Sequence, residues 1–223
     1  MHGCMGPPRA ILFDALGTLL DFEPPAPHLR AALRERTGSD IGEQRARDAI
    51  RAEIAYYRAH LHEGRDAESL LELRIRCAEA MELPFATPVV LDALLASLRF
   101  RAYEDSAPTL RALRAAGIRT VVVSNWDFSL HERLQETGLA ELVDGAIASA
   151  EVGSAKPDGR IFALALERAG ARPEETWHVG DTPEADVAGA RAAGIRPLLI
   201  ARDGAPGADM RSLSELIPLA LPR

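Results

Sequence analysis

The second half of the chain alternates between helical segments and short apolar runs, and this alternation constrains the fold more than any other feature. Apolar runs such as "IRTVVVS", "TWHVG" and "RPLLIA" each follow a helical segment that ends at a glycine. Strands that are apolar on both faces are typical of a parallel sheet covered by helices. The run "AILF", residues 10–13, supplies a further strand of the same kind. The pattern predicts an α/β fold with a Rossmann-like parallel sheet and helices on both faces.

A block of helical sequence separates the first strand from the rest of this predicted sheet. It contains four helical segments with start and stop signals: glycines at Gly38 and Gly64, and capping residues at Asp66 and Thr87, the latter followed by a proline. No part of the block has a convincing strand pattern. We therefore predict an inserted all-α cap domain over residues 21–99, and an α/β core formed by residues 1–20 and 100–223.

Composition limits the classes of function. The 223 residues are 47% apolar and 26% charged, as in an ordinary soluble globular protein, and the formal net charge is −7. A negative balance argues against nucleic-acid binding, which usually needs a basic face. Cys4 and Cys77 are the only cysteines, and neither an apolar leader nor a membrane-length apolar run is present. We expect a cytoplasmic protein that binds no membrane, either a monomer or a homodimer.

Polar residues follow the ends of the predicted strands. Ligands of open parallel sheets bind outside the carboxyl ends of the strands, so side chains at these positions should meet at one edge of the sheet although they are far apart in sequence. Because arginine greatly outnumbers lysine in this chain, a lysine at such a position is informative. The residues that follow the strands are Asp14, Ser124, Asn125, Lys156, Asp181 and Asp186.

This combination favours displacement chemistry on an anion. Asp14 and Asp181 would repel each other unless a cation lay between them, and Mg²⁺ prefers a few carboxylates, waters and substrate phosphate. Lys156 and the Ser124 hydroxyl suit the oxygens of an anionic substrate. An aspartate can itself act as a nucleophile and form a covalent intermediate. The residues therefore indicate nucleophilic displacement on an anionic substrate, with a metal ion and a lysine balancing the charge.

Four motifs in order resemble those of the haloacid dehalogenase superfamily of hydrolases. They are "FDALGTL", "VVVSN", "KPDGRIF" and "HVGDTPEADVAGARAAG", and the helical insert resembles the type-one cap of that family. The resemblance implies that Asp14 is the nucleophile and that Lys156 stabilises both the nucleophile and the transferring group. It also implies that Gly17 and Thr18 form the motif loop around the substrate, and that Ser124 and Asn125 contact its anionic group.

The resemblance also implies a metal site and a substrate class. In the family's phosphatases Mg²⁺ is bound by the nucleophile, by a main-chain carbonyl two residues later and by an acid of the fourth motif. These positions match Asp14, Leu16 and Asp181, with Asp186 supporting the shell. The implied substrate is a small phosphorylated metabolite.

Leu16 departs from the pattern of the family's phosphatases. The matching position is normally an aspartate that protonates the leaving alkoxide and then activates water. Such general acid–base catalysis contributes about 10²–10⁴-fold. Leu16 keeps the main-chain carbonyl but loses the proton relay, so we expect a bias towards leaving groups that need no proton, such as a carboxylate from an acyl phosphate or an acidic phenol.

Two alternatives to this phosphohydrolase stay open. The family's metal-free dehalogenases also lack the second aspartate, so the chain resembles them in its first motif and resembles phosphatases in its last. Arg51 lies roughly where a dehalogenase cap supplies an arginine that binds the substrate carboxylate. The other alternative is a catalytically weak member that binds a phosphorylated ligand or a protein partner.

Overall fold

A five-stranded parallel sheet forms the core of the computed structural model, which describes residues 7–221. In spatial order the strands are β5, β4, β1, β6 and β7, and every neighbouring pair is parallel. These strands comprise β1 (Ala10–Phe13), β4 (Arg119–Ser124), β5 (Gly145–Ala148), β6 (Thr176–Gly180) and β7 (Arg196–Leu199). The predicted α/β fold is confirmed.

Alternation along β1 divides the core into two layers, because successive side chains of a strand point to opposite faces. Ile11 and Phe13 belong to the apolar cluster on one face, whereas Ala10 and Leu12 belong to the cluster on the other. Helices α5, α6 and α10 contribute to the first cluster, and α8 and α9 contribute to the second. The core helices are α5 (Ser106–Ala115), α6 (Leu130–Glu136), α7 (Ser149–Val152), α8 (Gly159–Ala169), α9 (Gly189–Ala192) and α10 (Leu216–Ala220).

Four helices with their own apolar cluster form the insert after β1. Its capping signals are partly as predicted. Asp66 caps α3 in a capping box with Ser69, and Gly38 ends α1 in a left-handed conformation. The predicted Thr87 cap is wrong, because α4 begins at Thr87 itself. Pro88 then occupies the second helical position, where its missing N–H is not needed. The four helices are α1 (Pro25–Thr37), α2 (Glu43–His60), α3 (Ala67–Ala80) and α4 (Thr87–Ser97).

A short antiparallel ribbon, which the sequence pattern does not predict, joins the insert to the core. Strands β2 (Leu20–Phe22) and β3 (Phe100–Ala102) pair where the chain leaves the core and returns to it. The Phe22 and Phe100 rings stack with their centroids 4.8 Å apart. Strands of three residues are too short to show an alternating pattern, which is why the sequence did not reveal them. The two strands of the ribbon lie at the two ends of the predicted cap, residues 21–99.

The helix predicted after Asp181 does not begin as an α-helix. Residues Pro183–Ala188 form a wide π-helical turn, and α9 follows directly. Such turns occur frequently at functional sites. Here the turn brings the side chain of Asp186 back to the end of β6, where its carboxylate accepts a hydrogen bond from the Thr182 N–H at 3.0 Å.

Two predictions from composition concern cysteine and membrane segments. Cys77 is a buried free thiol in α3, whereas Cys4 lies outside the described residues. Within residues 7–221, no helix combines the length and the apolarity that crossing a bilayer requires.

Candidate active site

A buried lysine between two aspartates lies at the carboxyl ends of β1 and β6. Lys156, which is the only lysine of the chain, donates from Nζ to Asp14 Oδ1 at 2.6 Å and to Asp186 Oδ1 at 2.5 Å. All three side chains are buried. Asp14 is the first residue after β1, and its N–H donates to the Val179 carbonyl of β6 at 2.9 Å. The structure thus brings together three predicted residues that are separated by up to 172 positions in the sequence.

Asp186 is held by more partners than the sequence predicts. Besides Lys156 and the Thr182 N–H, its carboxylate contacts His178 Nε2 at 2.9 Å. His178 is fully buried in β6 and is not among the predicted site residues. Gly180 makes room for this arrangement, since a Cβ atom there would lie 2.1 Å from Asp186 Cγ. The oxygens of Asp186 are therefore already engaged, which suits a supporting role better than direct metal ligation.

Asp181, the residue after β6, is exposed to solvent. One carboxylate oxygen from each of Asp14, Asp181 and Asp186 lies within 4.8 Å of the others. Asp181 packs directly against the loop that follows Asp14, because a Cβ on Gly17 would lie 2.1 Å from Asp181 Oδ2. Gly17 also has a φ of +79°, which favours glycine. The spacing of these carboxylates is compatible with a bound cation.

Ser124 and Asn125 act on the cluster from the end of β4. The Ser124 hydroxyl donates to Asp14 Oδ1 at 3.0 Å. Asn125 binds the main chain of Lys156 on both sides: its Nδ2 donates to the Lys156 carbonyl at 2.9 Å, and its Oδ1 accepts from the Lys156 N–H at 2.7 Å. Asn125 therefore holds the loop that carries the lysine, although the sequence predicts for it a contact with substrate.

Thr18 is buried beneath the motif loop. Its carbonyl accepts a hydrogen bond from Arg202, whose guanidinium also donates to Asp105. Among residues 7–221 the Thr18 hydroxyl has no hydrogen-bond partner. These contacts anchor the loop from Asp14 to Leu19.

The charges of the cluster depend on one another. Burial raises the pKa of the Asp14 carboxyl, and Lys156 opposes this rise only in part. Burial alone would lower the pKa of Lys156, but Asp14 and Asp186 together raise it, so the ammonium stays protonated. Partial desolvation and the charge of Asp14 raise the pKa of Asp181 to about 6. At Asp186, interactions with His178 and Lys156 outweigh burial and lower the pKa of the carboxyl. No such compensation acts at Asp181, whose pKa is raised.

Arg51 is the one predicted site residue that the structure does not bring to this region. It lies on α2 with a side chain that is 72% exposed, and it pairs with Asp48 on the same helix. It does not line the cavity between the helical insert and the core. The neighbouring residue Glu53 lines that cavity instead.

A cavity of about 250 Å³ lies beneath the helical insert. Its lining includes Leu16, a residue that is 41% exposed, and Asn125, both close in sequence to residues of the cluster. Its walls are mainly apolar and aromatic. They include Phe22, Ile54, Leu94, Leu98, Phe100 and Trp126.

Two hydrogen bonds close the insert over this cavity. The Tyr57 hydroxyl of α2 donates to Asp127 Oδ2 at 2.9 Å, and the Phe128 N–H donates to the Gly64 carbonyl at 2.8 Å. Asp127 also accepts a hydrogen bond from the Ser129 N–H at 2.7 Å, just before α6 begins at Leu130. Asp127 thus links the core loop after β4 to the insert.

Glu53 should make the stability of the protein depend on pH. Burial raises the pKa of its carboxyl from 4.5 to about 7. The folded state holds this proton more tightly than the unfolded state. The resulting contribution of Glu53 to the free energy of unfolding is therefore complete below about pH 4.5 and is lost as the pH rises through about 7. Relative to Glu53→Gln, the free energy of unfolding of the wild type should fall by up to about 3 kcal/mol between pH 5 and 8.5, at about 1.36 kcal/mol per tenfold change in proton affinity. Urea unfolding of both proteins at the two pH values measures this difference.

The control for this experiment is Glu68→Gln, which removes an exposed carboxylate from α3. Its free energy of unfolding should change with pH by the same amount as that of the wild type. If Glu53→Gln also shows the wild-type pH dependence, the Glu53 carboxyl is not desolvated in the folded protein.

The fold and the cluster define a class: a Rossmann-like α/β protein with a helical insert, whose buried aspartate and lysine meet at the strand ends. Residues 8–194 match the family described as haloacid dehalogenase-like hydrolase, and the chain belongs to this family. The predicted family is confirmed.

The relatives of this chain include both phosphatases and dehalogenases. The chain is 32% identical over 204 residues to a ribulose-1,5-bisphosphate 5-phosphatase from Halopiger xanaduensis, covering 85% of this chain and 83% of the relative. It is 31% identical over 235 residues to (S)-2-haloacid dehalogenase 1 from Pseudomonas sp., covering 97% and 98%. A HAD phosphatase structure from Thermococcus onnurineus matches with a TM-score of 0.68 and 28% identity, over 95% of this chain and 97% of that one. The chain spans only 42–60% of the length of three other relatives that it matches.

Proposed function

We propose that this chain is a Mg²⁺-dependent phosphohydrolase that acts on a small phosphorylated metabolite through an aspartyl-phosphate at Asp14, and that it favours good leaving groups. The observation that carries the proposal is the position of Asp181. It places a third carboxylate beside Asp14 and Asp186, although Lys156 already lies between those two. A dehalogenase that needs no metal has no use for this additional acid.

The free oxygens of the cluster fit a hard cation. Lys156 and Ser124 both bind Asp14 Oδ1, and within residues 7–221 no hydrogen bond to Asp14 Oδ2 is present. Asp181 Oδ2 is likewise free of such bonds, and its Oδ1 accepts from the Thr182 hydroxyl. Asp14, Asp181 and the Leu16 carbonyl would hold Mg²⁺, with Asp186 in support. The ion would neutralise negative charge and orient the phosphoryl group.

The residues of the chain divide the remaining tasks. Ser124 and Lys156 hold one oxygen of Asp14 and so restrict the rotation of its carboxylate before attack on phosphorus. The Lys156 ammonium offsets negative charge on Asp14 and on the transferring group. Because Leu16 offers no proton, the leaving group departs as an anion. Water then hydrolyses the aspartyl-phosphate, without assistance from a side chain at position 16.

The first test is hydrolysis of para-nitrophenyl phosphate and acetyl phosphate with Mg²⁺ and with EDTA. We expect turnover of both compounds with Mg²⁺, loss of turnover in EDTA and recovery when Mg²⁺ is returned. The proposal is abandoned if neither compound is hydrolysed, or if EDTA changes nothing.

A second function, that of a 2-haloacid dehalogenase, is favoured by a specific observation. The residue two positions after Asp14 is leucine, the cavity beyond it is mainly apolar, and the Pseudomonas dehalogenase aligns over almost the whole chain. In this case Asp14 would displace halide and form an ester. Release of chloride from 2-chloropropanoate, unaffected by EDTA, would favour this function. If neither halide nor phosphate is released, the chain is a weak or non-catalytic member that binds a phosphorylated ligand or a partner.

Gly17→Ala should impair the response to Mg²⁺. The added Cβ would lie 2.1 Å from Asp181 Oδ2, so Asp181 must move. We expect the Mg²⁺ concentration for half-maximal activity to rise about 10–100-fold, the effect typical of displacing groups around a metal site. Activity titrations with Mg²⁺ measure this shift.

Gly38→Ala is the matched control for Gly17→Ala. Gly38 has nearly the same φ, +72°, but no atom lies within 4 Å of a Cβ built there. Both variants should lose about 1–2 kcal/mol of stability through left-handed backbone strain, and only Gly17→Ala should change the Mg²⁺ response. Equal Mg²⁺ titrations for the two variants would contradict the assignment of Asp181 as a ligand.

A further inference from the structure

Glu53 is a buried acid that the proposed chemistry does not use. Its side chain lines the cavity beneath the helical insert, although the residue is only 6% exposed. Across residues 7–221 it forms no ion pair, and the Cys77 thiol is the one side-chain hydrogen-bond donor beside it. An ionised carboxylate in mainly apolar surroundings is costly unless a donor or a cation compensates it. The cavity therefore contains a carboxyl group that no cation of residues 7–221 compensates.

Most other polar groups of the cavity already have partners. Tyr57 donates to Asp127, the Trp126 indole N–H donates to the Ser129 hydroxyl at 3.2 Å, and the Asn125 side chain binds the main chain of Lys156.

The arginines that line the cavity, unlike Glu53, have charged partners or reach solvent. Arg133 donates to Glu132 at 2.8 Å and to Glu136 at 2.5 Å, and Arg74 lies 3.9 Å from Glu132. Arg58 is exposed. Since these cations are paired with other residues or reach solvent, Glu53 is left as the buried group that a ligand can satisfy.

The position of the cavity indicates which part of a substrate reaches Glu53. Leu16, two residues from the proposed nucleophile, and Asn125, next to Ser124, are among its lining residues. A phosphoryl group at Asp14 would therefore direct its leaving group past Leu16 into the cavity. Apolar walls accept the body of that leaving group, and a cationic donor compensates the Glu53 carboxylate better than a neutral donor does.

We infer that Glu53 is a specificity-determining residue, which accepts a hydrogen bond from a protonated amino group on the leaving group of the substrate. This inference rests on the proposed phosphohydrolase function and adds a substrate class to it: phosphate compounds whose leaving group combines an apolar body with a primary ammonium.

Three aryl phosphates of matched shape test this inference. They are the para-(aminomethyl)phenyl, para-(hydroxymethyl)phenyl and para-ethylphenyl esters, which differ only in the terminal group of one side chain. For the wild type, kcat/KM for the amine should exceed that for the ethyl ester at least about 10-fold, as expected for a charge-assisted hydrogen bond. In Glu53→Gln this ratio should fall to about 1. In Glu68→Gln, which removes the same charge from an exposed position of the insert, the ratio should remain at the wild-type value.

The ratio of kcat/KM for the amine to that for the ethyl ester tests the inference about Glu53 separately from the proposed function. If the wild type hydrolyses para-nitrophenyl phosphate but does not prefer the amine, or prefers the hydroxymethyl ester, the inference about Glu53 is wrong and the phosphohydrolase stands. If none of the aryl phosphates is hydrolysed, the proposed function itself fails. A ratio that Glu53→Gln leaves unchanged also overturns the inference, and circular dichroism of the variant verifies that it is folded.

Discussion

Replacing Leu16 with aspartate should raise the rate of hydrolysis of alkyl phosphates by about 10²–10⁴-fold, the usual contribution of a general acid–base residue. The side chain at this position is 41% exposed and faces the cavity, so an aspartate can be ionised there without being buried. The main-chain carbonyl is retained. The gain should be largest for basic alkoxides and small for para-nitrophenyl phosphate, whose leaving group needs no proton. Steady-state kinetics of Leu16→Asp on both substrates, at saturating Mg²⁺, measure this difference.

Leu16→Asn is the control for the aspartate variant. Asparagine has nearly the same size and polarity but cannot relay a proton, so its kinetics on alkyl phosphates should remain close to those of the wild type. Equal gains for the two variants would mean that polarity, and not proton transfer, limits the wild type. If neither gains while para-nitrophenyl phosphate is still hydrolysed, the missing acid is not what limits the site.

Asp14→Asn should lower the hydrolysis of para-nitrophenyl phosphate at least about 10³-fold, because an amide cannot act as the nucleophile. The fold should survive this change. The Asp14 N–H bond to Val179 does not involve the side chain, and Lys156 keeps its contact with Asp186. Since burial disfavours the charged form of Asp14, the thermal midpoint of unfolding should be unchanged or higher. Turnover and thermal unfolding measured on one preparation test both expectations.

The control for the asparagine variant is Asp203→Asn, which alters an exposed carboxylate in the loop after β7. It should keep wild-type turnover. A covalent phosphate adduct, detected by mass spectrometry of acid-quenched wild type and absent from Asp14→Asn, would support the aspartyl-phosphate. Residual turnover by Asp14→Asn at a tenth of the wild-type rate or more would mean that another group attacks phosphorus.

The strands of the parallel sheet, the family and the central cluster could be predicted from the sequence. Continuous apolar runs identify buried parallel strands, and parallel strands bring the residues that follow them to one edge of the sheet. Asp14, Ser124, Lys156, Asp181 and Asp186 could therefore be placed together before any geometry was known. Their spacing from one another could not, because it depends on loop and turn conformations such as the π-helical turn that carries Asp186.

Arg51 and Glu53 illustrate what helical periodicity alone left open. Residues two apart on an α-helix point about 200° apart, since each residue turns the helix by about 100°. The sequence predicts the helix but does not state which face is covered by the core. In the structure Glu53 faces the cavity and Arg51 faces solvent, so the predicted substrate contact fell on the wrong side of the correct helix.

The sequence by itself determined the strands of the parallel sheet, most of the helices, their order and the reactive groups at the strand ends, because these follow from local periodicity and from the geometry that all parallel sheets share. Only the tertiary structure decided that Lys156 bridges two aspartates, that His178 supports one of them, and that Glu53, which forms no ion pair within residues 7–221, lines a mainly apolar cavity. Such contacts join distant segments, and they depend on how helices rotate and how loops close when the core excludes water.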